Sequence, residues 1–204
     1  MLPAIAYGYQ PLSPFFGSPT ARANFCEEDS IVTSFIAELI NTCSNAAYII
    51  YSVRALRRMP KHTSFAAKSI YHGLALVGIC SSLFHGLLKY HAQMADDTSM
   101  IVATSIVLHR AMTFQRSHSF TRWFSSLLIL AVIAETAYHT ITDEQMAHEL
   151  SFVLLIIVVA IKTRSLIILR VHNPKDEQML QNAIIFGAGV ASLSLSTSKL
   201  LDLN

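Results

Sequence analysis

Charge is scarce in this chain. Only 14% of its 204 residues are Asp, Glu, Lys or Arg, against 52% hydrophobic residues and a mean hydropathy of +0.45. That balance excludes an ordinary soluble domain of this size. Cysteine is also sparse: Cys26, Cys43 and Cys80 lack zinc-finger spacing and cannot all pair within one chain. Cys43 and Cys80 read as small buried apolar residues. There is no Gly-rich phosphate loop, no long basic run and no repeat of solenoid period, so nucleotide or nucleic-acid binding has little support. A net charge of +2 is too small to imply an anionic partner. The first 25 residues hold most of the six prolines but neither a basic start nor a short apolar core, so no cleavable signal peptide is evident.

What is abundant is apolar sequence near the length of about 20 residues that a bilayer demands. Six such stretches recur, at 31–53, 65–88, 98–115, 120–141, 147–164 and 180–201. The expected fold is therefore all-α, a polytopic transmembrane helix bundle whose polar residues face a shared interior. The first span is expected to act as its own insertion signal. The loops after spans one, three and five carry Arg54, Arg57, Arg58 and Lys61, then Arg116 and Arg122, then Lys162, Arg164, Arg170 and Lys175. By the positive-inside rule these loops are cytosolic. The other side receives Glu27, Glu28 and Asp29, then Asp96 and Asp97, then Asp143 and Glu144. The N-terminus is thereby expected to be lumenal.

Three polar groupings stand out. Ser81 and His85 are four residues apart and share one helix face, and a short return through Lys89, Tyr90 and His91 can bring Asp96 to the same depth. They read either as a site or as an interfacial histidine and a solvated helix cap. Glu27 to Asp29 directly precede span one, and Glu38, Asn41, Thr42 and Asn45 follow with helical spacing. These acids are either a first-turn cap or hard oxygen ligands of the type calcium selects, although not in EF-hand spacing. His139 and His148 flank the loop between spans four and five without requiring a role, and Glu135 sits about a turn from that loop, where it reaches water or serves a function.

The blocks Asn24 to Asp29, Ile36 to Thr42 with Ser44 and Asn45, Ser81 to His85, and Leu88 through Gln93 to Asp97 resemble the alkaline ceramidases, seven-span membrane amidases of the endoplasmic reticulum and Golgi. The resemblance runs more loosely from about residue 8 to the C-terminus. It implies a ceramide-type lipid substrate, with zinc and calcium as cofactors. Position by position, it implies that His85 is one of three zinc histidines, that Ser81 supports the zinc site and the oxyanion, and that Asp96 is the general base. The calcium site it implies is Asn24, Phe25, Glu27, Asp29 and Glu38. Phe25 stands where the family has tryptophan and would ligate through its carbonyl; Asn24 replaces an aspartate while Asp29 replaces an asparagine. In the family a seventh span supplies the other two zinc histidines as an HxxxH pair. The sequence ends at Asn204, after a stretch resembling the end of span six, so six of seven spans are expected here and the 204-residue chain by itself is expected to have little activity. A silent lipid-binding relative and a receptor or transporter are the alternative classes.

Overall fold

The computed structural model describes residues 11–23, 25 and 27–185. The fold is all-helical, of the membrane type: apart from a single Thr33–Ile36 bridge, no strand pairing forms among the described residues. The expected stretch at 180–201 lies mostly outside them. Two compact units divide between Met100 and Ile101.

In the first unit the stretch at 31–53 does not fold as one helix. A short α1 (Leu39–Ser44) and α2 (Ala46–Arg58) meet at Asn45, and residues 31–38 are non-helical. The cause is tertiary. Glu38 N–H donates to His85 O (3.0 Å) and Ala37 N–H to Gly86 O (3.0 Å), so the entry to α1 satisfies carbonyls that the end of α3 (Phe65–Leu87) leaves without helical partners. α2 ends where Pro60 forces Met59 into extended backbone, with Arg57 and Arg58 at the negative end of the helix dipole. α3 closes on Leu88 in the left-handed conformation (φ 47°, ψ 43°), 1% exposed. The Leu88 carbonyl accepts from Thr20 N–H (2.9 Å) and Ala21 N–H (3.1 Å). An N-terminal arm is thereby strapped across the turn between α3 and α4 (Tyr90–Thr113). Lys89 Nζ reinforces it by donating to Ser18 O at 2.7 Å.

α2 and α3 approach closely at Gly78. A Cβ there would stand 2.9 Å from Ile49 Cγ1, 3.0 Å from Tyr48 Cβ and 3.1 Å from Asn45 O. The last is backbone and cannot swing away. Gly78→Ala is expected to destabilise the protein by about 1–3 kcal/mol through overpacking, read as a lowered melting temperature in detergent; an unchanged value would show that the helices separate freely.

The second unit contains the rest of α4, α5 (His118–Thr142), α6 (Gln145–Arg170) and a helical stretch at 174–185. Ser117 caps α5, its Oγ accepting from Phe120 N–H at 3.3 Å. Asp143 ends it in the left-handed conformation. α3, α5 and α6 are each long and apolar enough to cross a membrane. Cys43 and Cys80, expected to be buried, are exposed and half-buried.

Candidate active site

Helical spacing placed Ser81 and His85 on one face, and the structure adds Glu38 to them from 47 residues away in the sequence. Glu38 is fully buried (0%) and accepts a hydrogen bond at Oε2 from His85 Nδ1. Asn41 Nδ2 donates to the same oxygen at 3.0 Å, and Thr42 Oγ donates to Glu38 O at 2.6 Å. The carboxylate fixes the imidazole plane and leaves Nε2 as its other working nitrogen, the arrangement by which proteins orient metal-binding or proton-transferring histidines. Asn41 and Thr42 belong to the polar stripe read from the sequence. Its spacing held locally; its partner, His85, carried no local signal.

Asp96 is not a solvated cap. Because α4 starts at Tyr90, Asp96 lies in its second turn and is 6% exposed. Ser81 hydrogen-bonds its carboxylate, and His85 is near enough for its charge to act on it. Asp96 Oδ1 is buried with no hydrogen-bond partner among the described residues. Buried polar atoms are nearly always paired, so this carboxylate keeps an acceptor oxygen open near the imidazole.

Of the acidic loop, Glu27 accepts from Ile40 N–H (2.7 Å) and Asn41 N–H (2.8 Å), one oxygen each. It caps α1 from outside the helix, a role the adjacent Glu38 side chain does not take. Each Glu27 oxygen keeps a further lone pair. Asp29 Oδ1 and Glu38 Oε1 are buried without partners among the described residues. Burial pushes the Asp29 carboxyl above its usual range, and the nearby charges of Glu38 and Glu27 push it further. Phe25 places its ring 5.0 Å from the His85 ring, at 61°. Asn24 lies outside the described residues.

In the second unit Glu135 Oε1 is 2.6 Å from His148 Nδ1, and the His139 and His148 rings stack at 4.4 Å. Both histidines are buried. Sequence inspection took these three residues one at a time; an acid in an apolar helix facing a histidine across a tight helical hairpin was the available signal.

The described residues thus form an all-helical chain of the membrane type with buried, hydrogen-bonded acid–imidazole pairs. The chain belongs to the ceramidase family, whose model matches residues 17–197. It is 30% identical over 204 residues to an alkaline ceramidase of Saccharomyces cerevisiae, covering 93% of this chain and 64% of that one. It is 27% identical over 154 residues to alkaline ceramidase 3 of Mus musculus, covering 73% and 57%. An alkaline ceramidase of Arabidopsis thaliana is 31% identical over 91 residues, covering 44% and 36%. The chain thus spans less than two thirds of the length of these relatives.

Proposed function

We propose that this protein hydrolyses the amide bond of ceramide-type lipids, releasing a sphingoid base and a fatty acid. Beyond the family, the observation that carries the reading is the buried Asp96 oxygen with no protein partner beside an imidazole held by Glu38. An amide carbon is a poor electrophile, and its hydrolysis needs a base for the attacking water and an acid for the departing amine. Asp96 takes the water's proton and returns it to the sphingoid nitrogen. Ser81, whose one hydroxyl proton serves Asp96, holds that carboxylate in a fixed orientation.

Calcium is the ion whose ligand chemistry these carboxylates suit, although no three metal-ligating side chains converge among the described residues. Asp29 Oδ1 and Glu38 Oε1 are partnerless and surrounded by like charge, and hard carboxylate oxygens with main-chain carbonyls are what calcium takes. Asp29 and Glu38 would hold it, with Glu27, the Phe25 carbonyl and Asn24 as the further ligands. When bound, it neutralises the carboxylate cluster and fixes the loop before α1. Zinc stands differently. No three metal-ligating side chains converge among the described residues, and His85 alone falls short of the three protein ligands a zinc site retains. Zinc therefore rests on the family resemblance alone.

The Lys and Arg bias of the alternate loops supports a lumenal N-terminus and lumenal residues 89–97 with residues 54–62 cytosolic, and the family resemblance supports the endoplasmic reticulum or Golgi as the compartment. Acceptor sites for N-glycosylation introduced near residue 93 are expected to be modified and those near residue 58 not; the reverse pattern inverts the orientation. The activity itself is tested by fatty-acid release from phytoceramide, dihydroceramide and ceramide in vesicles carrying the full-length protein. Absence of release from all three, by protein that still binds calcium, overturns the hydrolase reading.

A further inference from the structure

The resemblance gives Phe25 a role through its main-chain carbonyl, which any residue could fill. Its side chain has its own place. The ring lies 5.0 Å from the His85 imidazole at 61° and 6.0 Å from Phe84 at 67°, while Phe84 itself lies 4.9 Å from His85 at 39°. Two phenyl rings thus pack against the imidazole from different, though not opposite, directions, and against each other. Phe84 comes with the helix, being the preceding residue; Phe25 has to be delivered from the arm. Gln93 does this. Its Oε1 accepts from Arg22 N–H at 2.7 Å and Ala23 N–H at 3.2 Å, so an α4 side chain that is only 1% exposed anchors the backbone two residues ahead of the ring. Phe25 is half exposed, yet His85 beneath it is 8% exposed. The ring spends its inner face on the imidazole.

We propose that Phe25 is a positioning residue for His85: its ring covers the flank of the imidazole that Phe84 does not, excludes water from it, and holds it in the plane set by Glu38. This rests on the reading of His85 as part of the reacting centre. Edge-to-face ring pairs are worth about 0.5–1.5 kcal/mol beyond burial, enough to hold one ring orientation but too little to determine whether the protein folds.

The test uses the full-length, calcium-loaded protein in detergent micelles and three variants: Phe25→Ala, Phe25→Val and Phe25→Trp. Valine keeps an apolar side chain in the loop but is too short to cover the imidazole, so it carries the test if the alanine form does not fold. The first readout is carbethoxylation of His85 by diethyl pyrocarbonate, followed by peptide mass spectrometry. It is expected to be several-fold faster in Phe25→Ala and Phe25→Val and to return to the wild-type rate in Phe25→Trp. The second is turnover, where kcat is expected to fall about tenfold in the short variants with KM little changed, as for a misoriented reacting group. The calcium-induced rise in melting temperature is expected to persist in all three, since the carbonyl is untouched. Wild-type carbethoxylation rates in the folded short variants overturn the proposal. So does loss of the calcium response in them, which would place the ring's work in the loop. If the wild-type protein proves not to hydrolyse ceramides, the hydrolase reading falls while the carbethoxylation rates still decide whether Phe25 covers His85.

Discussion

Calcium is expected to raise the melting temperature of the wild-type protein at neutral pH, and Glu38→Ala to abolish the rise. The expectation follows from two buried carboxylate oxygens without partners, Asp29 Oδ1 and Glu38 Oε1, and from the upward shift of the Asp29 carboxyl. The sign follows from that shift. A carboxyl whose pKa is higher in the fold than in the unfolded chain costs nothing below its unfolded value of 3.8, and its cost is complete above the folded one. An ion that joins Asp29 and Glu38 removes that cost only where it exists. The stabilisation is therefore full at neutral pH and fades on acidification through the raised Asp29 pKa, where protons displace the ion. At a hundred times the dissociation constant, a ligand specific for the folded state contributes about 2.7 kcal/mol, worth roughly 5 °C or more in a chain of this size. Asp29→Asn separates the ion from the histidine: it is expected to lose the calcium response while keeping the Glu38–His85 hydrogen bond. An undiminished response in Glu38→Ala removes Glu38 from the site.

Asp96→Asn is expected to lower turnover by about two to four orders of magnitude, the range over which a positioned acid–base group contributes. Asparagine has the same shape and still offers an oxygen to Ser81, so the second turn of α4 keeps its packing and the calcium response stays. What is lost is the ability to take a proton. KM is expected to change little, because the missing interaction belongs to the transition state. Fatty-acid release within tenfold of wild type would assign the base to another group.

The all-helical character and its apolar stretches were readable because composition and length act over long windows. So was the polar stripe of Glu38, Asn41 and Thr42, because the contacts that realise it are three and four residues apart. What was not readable depends on distant partners or on local conformations that residue type does not announce. The break at Asn45 and the extended backbone before it follow from pairing with the end of α3. Leu88 adopts a left-handed conformation that glycine or asparagine would have signalled, so the start of α4 at Tyr90 was hidden, and with it the burial of Asp96. The bond between Glu38 and His85 joins two residues that the family resemblance assigns to different metals. Glu135 and His148 met across a hairpin for the same reason: spacing along one helix says nothing about the neighbour facing it.

The strapped arm also constrains biosynthesis. The amides of Arg22 and Ala23 take their acceptor from Gln93, 71 and 70 residues later, and those of Thr20 and Ala21 from Leu88. During translation the arm leaves the ribosome well before any of these acceptors exists, and its N–H groups stay hydrated meanwhile. The acidic loop can therefore reach its final form only after α3, the turn beyond it and the start of α4 have been synthesised. Arrest of translation before residue 88 is expected to leave the arm without its acceptors and sensitive to proteases.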